Sequence, residues 1–267
     1  MKKKIVLITA NNIRHKFFQS SLDKFRNCDV KLIIEEQFKK IPKSSKNSIL
    51  QKKHFRLREY YEKKFFVINK KLKPVNTKIF KILRNSINEN SNLLDKIKKL
   101  DPDLIITYGC SILKKRIIQE FQNKIINIHL GLSPYYRGSG TNYWPFVNNE
   151  LQFVGVTFMM IDEGIDTGPI LHQFRARIYK TDNVHKAGNR LIKDLIRVLE
   201  KIINNFEKIK AKKKQKYRKE KIFKEKDFDD QSIKKLFLNY KNKSIVKYLN
   251  TKSKIDKMFP IIKNEIL

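Results

Sequence analysis

The sequence predicts an α/β protein: a mostly parallel open sheet flanked by helices, with a small basic C-terminal extension. Three observations predict it. The chain opens strand, helix, strand with short joints, the pattern of a parallel crossover unit. Two later apolar runs, Leu104–Thr107 and Lys124–Ile128, are each preceded by a segment of helical spacing. The densest glycine and aromatic loop, residues 129–145, leaves the carboxyl end of one of those runs, where open α/β sheets place their ligands.

Lys4–Ala10 is apolar and β-branched and stops at Asn11-Asn12, so it reads as a buried strand. Arg14–Phe25 carries Phe17, Phe18, Leu22 and Phe25 on one helical face, and Val30–Ile34 is a second strand. Residues 37–100 are polar and mostly helical, with breaks at Pro42–Ser45 and Pro74. Ile79, Ile82, Leu83, Ile87, Leu93, Leu94, Ile97 and Leu100 predict two helices divided near Asn88–Ser91. Asp101-Pro-Asp103 ends them, Tyr108-Gly109 is a turn, and Ile112–Phe121 is a helix. Phe153–Met160 and Ile170–Ile178 read as strands, and Val184–Phe206 as an amphipathic helix capped by Asp182. Beyond a basic connector, Ile233, Leu236, Phe237 and Tyr240 give a helix over 228–240, then a short end. The domain reading is a catalytic unit over 1–207 and an extension over 208–267.

The chain has 267 residues, and its 40% apolar content excludes a disordered or fibrous class. Cys28 and Cys110 make no disulfide framework, and no apolar run approaches the ~18 residues of a membrane span. A cytoplasmic protein is expected. The net charge of +34 invites nucleic acid or an anionic surface as partner. However, the surplus is 48 Lys against 12 Arg and comes with 36 Ile and 23 Asn, a bias that raises lysine without selecting a partner. Residues 208–226, with eleven basic and two acidic side chains, stand above this background, as a solvated connector or a surface for phosphate-rich ligands.

Asn127 and His129 are two apart on a strand, so they face one spot. Asp162 and Asp166 lie in a glycine-flanked turn. An imidazole near a carboxylate has its charged form favoured, and with an amide donor beside it can stabilise an oxyanion. Such a set, with no Ser or Cys nucleophile, suits direct attack by a substrate's own nucleophile. The lone features have bland readings: a structural histidine, and a common Asp-Thr-Gly turn. Asp166-Thr167-Gly168 also matches the aspartic-protease triplet, but that lobe is all-β. The five His and two Cys show no ligand spacing, so no metal is expected, and no Gly-x-Gly-x-x-Gly follows the first strand.

Asn127-Ile-His-Leu-Gly-Leu-Ser-Pro-Tyr-Tyr-Arg-Gly138 resembles the Asn-x-His-x-Ser-Leu-Leu-Pro-x-x-Arg/Lys-Gly signature of formyltransferases that use 10-formyltetrahydrofolate. Asp162-Glu-Gly-Ile-Asp-Thr-Gly-Pro-Ile170 is similar to their second signature, in the right order. The resemblance covers residues 1–207 and implies a Rossmann-like sheet. It implies Asn127, His129 and Asp166 as the catalytic trio. It places the pterin against Gly109, Cys110, Ser111, Ile112 and Leu113 and the turn holding Ile161, Asp162 and Gly164, largely through backbone groups. The co-substrate would be 10-formyltetrahydrofolate and the acceptor a primary amine. A nucleotide-linked amino sugar is preferred. Methionyl-tRNA, glycinamide ribonucleotide and a catalytically silent RNA-binding relative are the rivals. The tail looks short for the tRNA-binding barrel of the methionyl-tRNA enzymes, and the first strand lacks the glycine-rich loop of the ribonucleotide enzymes. Gly131 replaces the signature's serine and Ser133 its second leucine, which should relax the loop. Tyr135, Tyr136, Tyr143 and Trp144 either stack on a sugar or base, or pack the loop.

Overall fold

A computed structural model of the chain describes residues 2–37, 48–67, 72, 74, 77–212 and 221–267. The 42–45 break lies outside the described residues, as do 213–220 of the basic run. A seven-stranded sheet carries the fold. Its strands are β1 (Lys3–Ala10), β2 (Cys28–Gln37), β3 (Ile79–Leu83), β4 (Leu104–Tyr108), β5 (Ile125–His129), β7 (Gly155–Met160) and β8 (Ile170–Arg175). The order across the sheet is β3-β2-β1-β4-β5-β7-β8. The first five run parallel, and β7 and β8 add an antiparallel edge. Ile5, Val6, Leu7 and Ile8 of β1 are all fully buried, as a central parallel strand covered on both faces requires. Their alternation divides the core. Ile5 and Leu7 join the layer holding α1 (Ile13–Leu22) and α6 (Val184–Asn204); Val6 and Ile8 join that of α3 (Ser91–Leu100) and α4 (Lys115–Glu120).

Three sequence expectations are corrected. Ile79–Leu83 is the edge strand β3, not a helix, pairing with β2 through Ile33↔Ile79. An edge strand needs burial on few positions, so Ile79, Ile82 and Leu83 mimic helical spacing. The cap of α6 is Asn183, whose side chain accepts from the amides of His185 and Lys186. Asp182 instead makes a two-pronged ion pair with Arg190, at 2.7 and 2.8 Å. The end of the chain holds a further helix, α8 (Ser244–Met258), after α7 (Asp230–Lys241).

The extension is tied to the core. α7 packs on the short helix α5 (Trp144–Val147), and α8 on the turn at 151–153. Gln173 of the outermost strand exchanges two hydrogen bonds with the Ile262 backbone, so the chain end covers that sheet edge. Within the 129–145 loop a three-residue strand, β6 (Tyr136–Gly138), pairs in parallel with β9 (Lys221–Phe223). The Phe223 ring stacks on Trp144 at 4.4 Å and on Tyr136 at 5.6 Å. Tyr135 stacks on Phe153 at 4.5 Å, and the Tyr143 hydroxyl meets Ser232 of α7. All four loop aromatics are buried, so they pack the loop against the extension. No helix among the described residues is long and apolar enough to cross a membrane.

Candidate active site

The carboxyl ends of β4 and β5 and the β7–β8 turn meet at one point. Asn127 and His129 point from β5 to the same side. Thr107 Oγ1 donates to Asn127 Oδ1 at 3.0 Å. That bond fixes the amide, so Asn127 Nδ2 turns outward and donates to Asp166 Oδ1 at 3.1 Å. One of the two amide hydrogens is used there and the other is left for an incoming oxygen. Asp166 Oδ2 lies 3.3 Å from His129 Nδ1 and accepts from the Gly138 amide at 2.8 Å. Asp166 adopts φ +51, a left-handed conformation that Asp and Asn tolerate best among residues with a Cβ. Its own carbonyl accepts from Ser133 Oγ at 2.8 Å. The peptide bond between Ser133 and Pro134 is cis.

His129 is 6% exposed, and its Nε2 lies 2.9 Å from the Tyr136 carbonyl. A carbonyl oxygen only accepts, so Nε2 carries the hydrogen. The ring therefore has an acceptor on each side. The carbonyl on Nε2 belongs to β6, so the strand held by the extension also occupies the histidine's outer nitrogen. Gly131 does not relax this loop, as its sequence suggested. A Cβ there would stand 2.5 Å from His129 Nε2 and 2.7 Å from Thr141 Cβ. The space a serine would take is filled by the imidazole itself.

The segment Gly109–Leu113 leaves the neighbouring β4. Gly109 has φ +65, and a Cβ there would stand 2.4 Å from His15 Nε2. The Ser111 amide and hydroxyl both donate to Glu36 Oε2, each at 2.8 Å, so a buried carboxylate clamps the loop. The Asn88 side chain takes the Ile112 carbonyl and the Lys114 amide. Ile112 is exposed and Leu113 buried. Burial pushes the Cys110 thiol up to about 12, which leaves it a poor nucleophile. In the second turn, Ile161 is tied to β5 through its amide and the Ile125 carbonyl. Asp162 accepts from the Gly164 amide and the Thr167 hydroxyl, so it closes the turn that presents Asp166. Among the described residues no group of three or more His, Cys, Asp or Glu is placed to hold a metal.

The structure thus sets Asp166 against both Asn127 and His129, and the 161–164 turn, which leaves β7 beside the amino end of β5, reaches back to Lys115, just past the 109–113 segment, through Glu163. Sequence reasoning missed Thr107, the Gly138 amide and the Tyr136 carbonyl. Thr107 carried a findable signal, the last inward position of a strand beside β5; the other two are backbone groups and carry none.

A formyl transferase family model matches residues 8–203. Methionyl-tRNA formyltransferase of Thermodesulfovibrio yellowstonii is 39% identical over 105 residues, covering 39% of this chain and 33% of that protein. The Finegoldia magna enzyme of the same name is 30% identical over 129 residues, 48% of this chain and 41% of that one. The chain therefore spans well under half the length of these curated relatives. Among solved structures, phosphoribosylglycinamide formyltransferase of Anaplasma phagocytophilum gives a TM-score of 0.57 at 14% identity, over 84% of this chain and all of that one. A sugar N-formyltransferase from Shewanella gives 0.53 at 19%, over 85% and 78%. A formyltransferase from Anoxybacillus kamchatkensis, solved with UDP-4,6-dideoxy-4-formamido-L-AltNAc and tetrahydrofolate, gives 0.50 at 20%, over 87% and 97%. At these identities the structures speak for the sheet and its topology, while the model match runs from inside β1 to the end of α6: the chain belongs to the formyl transferase family.

Proposed function

We propose that this chain transfers the formyl group of 10-formyltetrahydrofolate to the primary amine of a nucleotide-linked amino sugar. The observation that carries the reaction is the contact of Asn127, His129 and Asp166 at the carboxyl edge of the sheet. The acceptor nitrogen attacks the formyl carbon, and the carbonyl oxygen gathers negative charge. The free amide hydrogen of Asn127 and the Nε2 hydrogen of His129 stabilise that oxygen. Asp166 holds both donors in place, and with water takes the proton that the amine loses. The bond from the formyl carbon to the folate nitrogen then breaks, and that nitrogen is protonated. For this, His129 must exchange the Tyr136 carbonyl for the formyl oxygen, so β6 yields by roughly one hydrogen-bond length during turnover.

Support for a pterin at the 109–113 segment comes from a buried carboxylate oxygen beside it. Glu36 Oε1, beside this segment through the Ser111 bonds of its partner oxygen, is buried with no hydrogen-bond partner among the described residues. It is an acceptor suited to the polar edge of such a ring. Support for a sugar acceptor comes from the described part of the extension, which forms helices α7 and α8 packed on the core. The Anoxybacillus structure, solved with a UDP-linked formamido sugar, shares the fold. The test is to follow loss of 10-formyltetrahydrofolate with a UDP-linked amino sugar, glycinamide ribonucleotide and methionyl-tRNA supplied separately. Formylation of the sugar nucleotide alone is expected. Turnover with methionyl-tRNA alone removes the acceptor assignment, and turnover with no amine at all removes the reaction.

A further inference from the structure

A buried chain of hydrogen bonds runs from Asp166 past β7 to the outer strand β8, and the transfer chemistry does not use it. Ser133, Thr157 and Gln173 are each no more than 1% exposed. The Ser133 hydroxyl donates to the Asp166 carbonyl at 2.8 Å. The Ser133 amide donates to Thr157 Oγ1 at 3.0 Å, and the Ser133 carbonyl accepts from Gln173 Nε2 at 2.6 Å. Gln173 Nε2 also donates to Thr157 Oγ1 at 2.9 Å, and Thr157 gives its own hydrogen to the Gly131 carbonyl at 2.7 Å. Gln173 Oε1 accepts from the Ile262 amide at 2.9 Å.

Every polar group in this chain is used. A threonine hydroxyl has one hydrogen and two lone pairs, and that of Thr157 donates once and accepts twice. Both amide hydrogens of Gln173 are taken, and its oxygen must face the Ile262 amide, so this side chain cannot turn over without losing all of these bonds. A buried network with no gap holds its members rigidly. Ser133 is thus fixed at its amide and its carbonyl, and its hydroxyl is the part that reaches the site.

Asp166 needs such a hold. Its carboxylate is shared among Asn127 Nδ2, His129 Nδ1 and the Gly138 amide, and every one of these contacts depends on where the main chain carries the side chain. At φ +51 that main chain is in a conformation that a Cβ disfavours. A hydrogen bond on the Asp166 carbonyl opposes rotation of the peptide that follows it. The sequence bears on the same point. The formyltransferase signature has its hydroxyl at the place of Gly131 and a leucine at the place of Ser133. In this chain the imidazole of His129 fills the first place, and the hydroxyl stands at the second, where leucine has no hydrogen to donate.

We propose that Ser133 is a positioning residue for formyl transfer: through the Asp166 main chain it sets the carboxylate against Asn127 and His129. This rests on the reading that Asp166 holds those two donors at the formyl oxygen. Ser133 acts through Asp166 alone, so its loss slows the chemical step and leaves folate binding as it was.

The test combines steady-state kinetics and amide hydrogen exchange on the full chain. Ser133→Ala removes the hydroxyl and adds no bulk. Its kcat is expected to fall about tenfold or more, with the KM for 10-formyltetrahydrofolate within about twofold. Ser133→Thr returns a hydroxyl and should recover most of the loss. In Asp166→Asn the charge is already gone, so adding Ser133→Ala should lower kcat by less than about twofold more. Two neighbouring amides give a reading that needs neither turnover nor the threonine variant. The Gly138 amide donates to Asp166 Oδ2 and the Ser139 amide to the Phe223 carbonyl, both at 2.8 Å. Ser133→Ala should speed exchange at Gly138 by about tenfold and leave Ser139 within about twofold. Unchanged kcat with unchanged Gly138 exchange overturns the assignment. So does equal acceleration of both amides, because Ser133 then only packs the loop. Full additivity with Asp166→Asn overturns it too, since Ser133 would then act by another route. An unaltered protein that formylates no amine refutes the reaction instead, and selective acceleration at Gly138 would still show Ser133 holding Asp166.

Discussion

Gly138→Ala probes whether the extension sets the geometry of the site. Gly138 has φ +87, where a residue with a Cβ costs about 1–2 kcal/mol. The added Cβ would stand 2.2 Å from the Phe223 carbonyl oxygen, a backbone atom that cannot rotate away. The two strands must part by about 1 Å, losing the bonds from Ser139 N to Phe223 O (2.8 Å) and from Lys221 N to Tyr135 O (3.2 Å). At about 1 kcal/mol each, the total is about 3–4 kcal/mol. For a chain of this size that lowers the thermal midpoint by about 10 °C. The same shift carries the Gly138 amide off Asp166 Oδ2, so the carboxylate that holds Asn127 and His129 loses an anchor and formyl transfer should fall together with stability. Gly188→Ala is the internal control. Gly188 lies inside α6 with nothing within 4 Å of the new Cβ, and alanine there should stabilise by about 0.5–1 kcal/mol. Calorimetric melting and a formyl-transfer assay on both variants read the comparison. A Gly138→Ala midpoint within about 2 °C of the unaltered protein would refute the reasoning, because the β6–β9 contact would then be too loose to transmit anything.

Asp166→Asn keeps the shape and the left-handed tolerance but removes the charge facing His129, so kcat should drop by about a hundredfold or more with the melting midpoint little changed, measured by steady-state kinetics and thermal melting. Gly131→Ser restores the residue of the family signature, yet it should cost about 2 kcal/mol by crowding His129 and Thr141. Denaturant unfolding measures this, and Thr141→Ala in the same chain should recover part of the loss. His54 and His185 are depressed by burial in the folded state, to about 4 and about 3, whereas the unfolded chain titrates near 6.5. The unfolded state therefore binds more protons between those values. Stability should be full above pH ~6.5 and decline as the pH falls toward ~4, with a shallower decline in His54→Gln, read from denaturant curves at several pH values.

The central sheet was legible because a parallel strand buried on both faces leaves an unbroken apolar run, as Ile5–Ile8 and Leu104–Ile106 do. β3 was not, because an edge strand is sheltered unevenly and its three aliphatic residues fit a helical period equally well. α8 escaped because Ile245, Tyr248 and Ile255 are spread thinly among lysines. The trio could be found because Asn127 and His129 stand two apart on a strand and Asp166 sits in a recognisable turn. What holds the trio could not, since the Gly138 amide and the Tyr136 carbonyl belong to the backbone. The stripe of His54, Arg58 and Glu62, at every fourth residue of α2 (Ile49–Glu62), was open to a search at that spacing; in the fold Glu62 pairs with Arg14 and Arg58, and His54 lies against His185. Its partners Arg14 and His185 come from α1 and α6, which only the folded chain brings together.

The pairing of β6 with β9 also bears on how the protein is made. A ribosome delivers the sheet from β1 to β8 well before residues 221–223 emerge. A nascent polypeptide halted after α6 could collapse around its apolar layers, but Phe223 would not yet be present to draw the Tyr136–Gly138 segment over His129. Closure of the Gly138 amide onto Asp166 would then follow the emergence of residues 221–223 rather than the folding of the scaffold.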